Sequence, residues 1–188
     1  MRIISYVKNI ENEKRAYYRL VEKATTDQMT GVLNKMSTKE VVTNLLKQDY
    51  KESNIIIMID IDNFKSINDM YGHDIGDQVI ISICNIIKSS FRETDIVGRM
   101  GGDEFLVCLP EKFNYDNITT RVSQLLNDVQ NSSIERNQQV VSGITLSVGI
   151  VNTFGNVNFD QLYHYADTAM YKAKSKGKNQ YSVYNYSD

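Results

Sequence analysis

Residues 3–24 carry apolar positions at near-heptad spacing (Ile3, Tyr6, Ile10, Tyr17, Leu20 and Ala24), with Glu13 breaking the seam. This spacing predicts a helix that either pairs with a second copy of itself or lies on its own domain. Further on, Ser37 stands as an N-cap before a helical stripe of Val41, Val42, Leu45 and Leu46. The period then changes. Residues 55–59, IIIMI, form the unbroken apolar run of a strand covered on both faces, and the run ends in Asp60, Ile61 and Asp62. A short helix is predicted from about Phe64 and a longer one from about Asp74, the latter turning Val79, Ile80, Ile83, Ile86 and Ile87 inward.

Gly101 and Gly102 separate two strand-like segments. Glycine supplies the positive φ of a tight hairpin without a Cβ clash, which sets Asp103 and Glu104 at the hairpin mouth and leaves Pro110 to close the second strand. Val122, Leu125, Leu126 and Val129 predict a helix over 118–129, and alternating Ile144, Leu146, Val148 and Ile150 predict a strand over 140–151. A last helix over 159–175 precedes an edge strand at 181–184. Helices mixed with an antiparallel hairpin give an α+β fold.

Composition fits a single unit. A chain of 188 residues, 41% hydrophobic and 23% charged, can bury a sizeable core without dividing. The net charge of −2 offers no electrostatic footprint for nucleic acid or an anionic membrane surface. No apolar run reaches bilayer length and the N-terminus lacks a signal-peptide core, so a cytoplasmic location is expected. Cys84 and Cys108 lie in apolar patterns without a CxxC, which predicts buried, reduced thiols. There is no internal repeat or low-complexity linker.

The candidate chemistry lies in the acids. Asp103 and Glu104 alone are read equally well as solubilising a hairpin, but Asp60 follows five apolar residues, where a charge is costly unless paired or metal-bound. Carboxylates at two strand ends suit a hard cation such as Mg²⁺, completed by substrate phosphates.

These residues also carry a resemblance. DIDNFKSINDMYGHDIGD at 60–77 and RMGGDEF at 99–105 are similar to the motifs of the GGDEF family of diguanylate cyclases. So are DQMTGVLNK at 27–35, with Lys35 where Arg is usual, TLSVGI at 145–150, and ADTAMYKAKSKGKN at 166–179, with Lys178 where Arg is frequent. The resemblance covers about residues 25–185. It implies a mainly antiparallel sheet of about five strands wrapped by helices, like the palm of nucleotidyl cyclases and polymerases. It divides the chain into a linker or dimerisation helix, 1–24, and a catalytic domain, 25–188.

The implied reaction joins two GTP into cyclic di-GMP in a homodimer, with Mg²⁺ or Mn²⁺ as cofactor and an upstream sensor domain as a further partner. The resemblance implies Asp60, Asp103 and the carbonyl of Ile61 as metal ligands, Asp103 or Glu104 as base, and Lys65, Lys174 and Lys178 as phosphate contacts. Gly101 and Gly102 would admit the α-phosphate, and Asn68, His73 and Asp77 would form the guanine pocket. A carboxylate at 77 accepts from guanine N1 and its amine, a pair adenine does not present, which disfavours a mixed cyclic GMP-AMP synthase. Arg92 and Asp95, in RETD, match the family's product-inhibition site, whereas a stray Arg-x-x-Asp is ordinarily a helix-end salt bridge. Two other classes remain: a non-catalytic module that binds GTP or cyclic di-GMP and regulates a partner, and a purely structural dimerisation module. His164 has no such context and reads as a surface or core residue.

Overall fold

The computed structural model describes residues 2–48, 54–109, 115–136, 138–152 and 157–186. Helix α1 (Arg2–Thr25) leads into α2 (Lys35–Gln48), β1 (Ile55–Ile61), α3 (Phe64–Tyr71), α4 (His73–Ser90), β2 (Ile96–Gly101) and β3 (Glu104–Leu109). Then come α5 (Tyr115–Gln130), β4 (Ser133–Arg136), β5 (Gln139–Ser142), β6 (Leu146–Asn152), α6 (Phe159–Ser175) and β7 (Gln180–Val183).

The main sheet runs β2-β3-β1-β6-β7, antiparallel throughout except for the parallel β6–β7 pair. β1 lies at its centre, and all seven of its residues are buried. Alternation sorts that apolar run between two cores. Ile55, Ile57, Ile59 and Ile61 join Val79, Ile83, Ile87, Val122 and Leu125 on the side of α4 and α5. Ile56 and Met58 join Val42, Leu162, Ala166 and Met170 on the side of α2 and α6. The fold is thus the expected α+β sheet of five strands wrapped by helices. Cys84 and Cys108 are buried and free, and burial pushes the Cys108 thiol up to about 12.

Helix α6 is set close to the sheet because Gly149 offers no side chain: a β-carbon there would stand 2.0 Å from the Ala166 carbonyl oxygen. Its start is fixed by a capping box, in which Asn158 Oδ1 accepts from Gln161 N at 3.0 Å and Asn158 N donates to Gln161 Oε1 at 3.1 Å.

Several boundaries differ from the sequence expectations. The cap of α2 is Asn34, whose Oδ1 accepts from Ser37 N at 3.0 Å, so Ser37 sits inside the first turn rather than before it. The strand expected over 140–151 is two strands, because Gly143 turns the chain with a φ of 70°. β5 pairs with β4 as a separate ribbon, and β4 carries no apolar alternation because only Ile134 in it is buried. In the hairpin the two-residue turn is Gly102 and Asp103, with Gly101 already paired to Glu104 beyond a bulge at Arg99. Asp103 therefore occupies the tip, and only Glu104 occupies the mouth. On α1, the described side chains from Glu11 to Ala24 are exposed, Tyr17 at 64% and Leu20 at 67%, so this stretch is not packed on its own domain. The side chains of Ile3, Tyr6 and Ile10, and all of Pro110, lie outside the described residues.

Candidate active site

The C-terminal end of β1 and the β2–β3 turn are neighbours because β1 and β3 pair in register, Asp60 opposite Glu104. The turn is tied down by Ile61 N, which donates to the Asp103 carbonyl at 3.4 Å. Three acids thus converge on one edge of the sheet. Asp60 is 6% exposed and is met by Lys174 Nζ from α6, 2.7 Å from its Oδ2. Burial raises the Asp60 carboxyl to about 6; Lys174 pulls it down, and the charges of Asp103 and Glu104 push it further up. Glu104 is also raised, by burial first and then by Asp103 and Asp167.

This excess of negative charge fits a hard divalent cation: carboxylate oxygens are its preferred donors, and the Lys174 ammonium on Asp60 already shows positive charge accommodated there. Among the described residues, no three His, Cys, Asp or Glu side chains assemble a metal cluster. A cation would accordingly draw on Asp60, Asp103, a backbone carbonyl such as that of Ile61, and ligand phosphates.

Asp62, two residues on, is a different kind of acid. It accepts from Thr145 Oγ1 at 2.7 Å, Ser147 Oγ at 2.6 Å and Asn179 N at 3.0 Å. These bonds occupy both of its oxygens and fasten β1 to β6 and to the turn before β7. Asp62 is therefore structural, although in sequence it pairs with Asp60.

The turn itself is open. Gly101 and Gly102 have φ of 141° and 53°, and a β-carbon on either would meet nothing within 4 Å. Glycine is needed there for backbone conformation, and the face above it is free for a ligand.

The remaining candidates lie around this edge. Lys65 is exposed on the first turn of α3, and His73 and Asp77 are exposed on α4. Asn68 is half-buried, and its Oδ1 is buried without a hydrogen-bond partner. Lys178 adopts a φ of 64° and donates from Nζ to Asn63 Oδ1 at 2.5 Å, beside the loop after β1. His164 is exposed.

Arg92 and Asp95 sit at the far end of β2 from the β2–β3 turn, a strand length of roughly 20 Å away. Asp95 is buried; its Oδ2 accepts from the Arg92 backbone N at 2.8 Å and lies 3.8 Å from Arg121 Nη1. The Arg-x-x-Asp spacing is thus a turn capped by its own carboxylate. Beside it opens a cleft of about 400 Å³, whose walls include Lys88, Arg92, Asp95 and, across from them, Thr26 and Leu33.

Arg99 bridges two of the motifs. Arg99 Nη1 reaches Asp27 Oδ1 at 3.1 Å and Oδ2 at 3.2 Å, while its Nε and Nη2 donate to the Gly102 carbonyl at 3.0 and 2.7 Å. Burial works against the Asp27 charge, but hydrogen bonds from Thr30 and Arg99 prevail and lower its pKa. A single guanidinium therefore joins the segment leaving α1 to the β2–β3 turn. The only sequence signal was that Asp27 and Arg99 each open a motif, 72 residues apart.

Residues 24–180 match the family described as "Diguanylate cyclase, GGDEF domain". The chain is 31% identical over 187 residues to diguanylate cyclase DgcM of Escherichia coli K12, covering 95% of this chain and 43% of that protein. It is 34% identical over 175 residues to the probable diguanylate cyclase DgcC of the same organism, covering 88% and 44%. The crystal structure of the GGDEF domain of DgcB from Caulobacter crescentus in complex with c-di-GMP superposes with a TM-score of 0.82 at 25% identity, over 86% of this chain and 94% of that one. The structure that includes the DgcB coiled coil reaches 0.89 at 22% identity, over 97% of both chains, a likeness of fold. The chain belongs to the GGDEF-domain diguanylate cyclase family. It spans less than half the length of DgcM and DgcC.

Proposed function

We propose that this chain condenses two GTP into cyclic di-GMP and two pyrophosphates, each of two facing copies presenting one GTP. In each half-reaction the 3′-oxygen of one nucleotide bonds to the α-phosphorus of the other, the bond to the β-phosphate oxygen breaks, and the hydroxyl proton leaves. The observation that carries this reading is the convergence of Asp60, Asp103 and Glu104, with Lys174 already on Asp60.

Bound Mg²⁺ or Mn²⁺ would lower the pKa of the 3′-hydroxyl and neutralise charge on the phosphates. Asp60, Asp103 and the Ile61 carbonyl would hold it. Glu104 is the better acceptor for the hydroxyl proton, because a carboxylate whose pKa is raised binds a proton more readily than one committed to a cation. Lys174 and Lys178, on the α6 side, and Lys65, on α3, would meet the triphosphate as point charges. The open Gly101–Gly102 face admits the α-phosphate.

Guanine would lie against Asn68, His73 and Asp77, the buried Asn68 Oδ1 supplying an acceptor that now lacks a donor. Arg92, with the cleft beside it, would bind the product and inhibit synthesis. Helix α1, exposed along its described side chains, would join two copies and take its signal from a preceding segment.

The reading is tested with Asp60→Asn and Asp103→Asn. Each should abolish pyrophosphate release from GTP while the protein keeps its far-ultraviolet circular dichroism; near-normal turnover in either would remove these acids from the reaction.

A further inference from the structure

Gly76 lies in the first turns of α4, and its backbone is ordinary right-handed helix, a conformation that requires no glycine. Alanine would be the better helix former there. Space is what glycine provides. A β-carbon at Gly76 would stand 1.8 Å from Asn68 Oδ1, 2.9 Å from Asn68 Cγ and 3.3 Å from Phe64 Cζ. The Asn68 carboxamide from α3 therefore occupies the volume that any side chain at 76 would need. That carboxamide is not held there by a hydrogen bond through its oxygen, since Oδ1 is buried and unpaired. A buried acceptor without a donor is a cost that a purely structural amide would not carry.

We infer that Gly76 is a positioning residue for the purine base: its missing β-carbon seats the Asn68 carboxamide between α3 and α4, immediately beside Asp77. This rests on the reading of Asn68 and Asp77 as the guanine contacts, and it extends that reading to specificity. One glycine places one base-reading side chain and directly precedes the other. Phe64 Cζ stands 3.3 Å from the same point, so a methyl at 76 is crowded by the ring as well as by the carboxamide, and the carboxamide must give way.

The test compares wild type, Asn68→Ala, Gly76→Ala and the double variant in initial-rate assays with GTP and with ITP, which lacks the exocyclic amine. Gly76→Ala should raise KM for GTP about tenfold, the worth of one hydrogen bond, and narrow the preference for GTP over ITP. Asn68→Ala should do the same. The double variant should be no worse than Asn68→Ala, because the conflict disappears with the carboxamide. A merely structural role would move Tm and leave base preference alone. Should Gly76→Ala lower Tm, recovery in the double variant together with Asn68→Ala kinetics supports the seat, and a persistent loss overturns it. Additive effects of the two substitutions also overturn it. If Gly76→Ala keeps wild-type KM and preference while Asn68→Ala loses them, the inference falls and the guanine reading stands; if both single variants are silent, the guanine reading falls and takes the inference with it.

Discussion

At the residue scale the account turns on Asp60, a carboxylate held in the sheet edge at a pKa of about 6. A folded-state value above the ordinary one means that the native protein binds this proton more tightly than the unfolded chain does. The contribution of Asp60 to stability is thus fully present below the ordinary carboxylate range and is lost as pH rises through about 6. A metal requires the ionised form and competes with that proton. Addition of Mg²⁺ and a non-hydrolysable GTP analogue should raise Tm at pH 8, and the increment should shrink as pH falls through about 6. Differential scanning fluorimetry across pH reads this directly, and an increment that grows on acidification would contradict the assignment. Asp77 has a separate expectation: Asp77→Ser removes the acceptor for guanine N1 and amine, so competition between GTP and ATP should shift toward ATP.

At the element scale the catalytic turn is positioned from two sides. Arg99 clamps the Gly102 carbonyl and Asp27 together, with guanidinium and carboxylate largely shielded from water. Arg99→Ala leaves the Asp27 carboxylate without its partner and should cost about 1–3 kcal/mol in urea unfolding. Turnover should fall as well, since Asp103 follows the released carbonyl. Lysine should rescue poorly, because it lacks the fork that reaches both partners. From the other side, α6 carries Lys174 to Asp60 only because Gly149 lets it approach. Gly149→Ala sets a methyl against the Ala166 carbonyl and should destabilise by about 1–3 kcal/mol.

Much of this was legible in the sequence, for physical reasons that differ from element to element. The buried strand showed as an unbroken apolar run, and α4 and α5 as regular helical stripes. The acids at 60, 103 and 104 stood out because charge after an apolar run demands a partner. What stayed hidden was long-range or weakly patterned. Nothing local distinguishes Asp62, a structural anchor, from Asp60, and nothing joins Asp27 to Arg99 until the fold brings them together. The β4–β5 ribbon buries too few side chains to leave a period. The role of Gly76 depends on a carboxamide arriving from another helix.

At the scale of the whole molecule, the β2–β3 turn lies at one end of β2 and the Arg92 cleft at the other. The Asp95 carboxylate caps the Arg92 backbone N, so Arg92→Ala tests inhibition with that cap kept. Arg92→Ala should raise the cyclic di-GMP concentration for half-inhibition about ten- to a hundredfold, the worth of a charge-assisted hydrogen bond. Progress curves with added product measure it, and an unchanged half-inhibition would return RETD to a structural turn. The proposed reaction needs two facing copies, so specific activity should rise with protein concentration until pairing saturates. The most direct measurement is to incubate the purified chain with GTP and Mg²⁺ and identify the product by mass. The account predicts cyclic di-GMP with two pyrophosphates released per molecule. Recovery of unreacted GTP from protein that binds it, at concentrations where the chain is dimeric, would contradict the catalytic reading and leave a nucleotide-binding module.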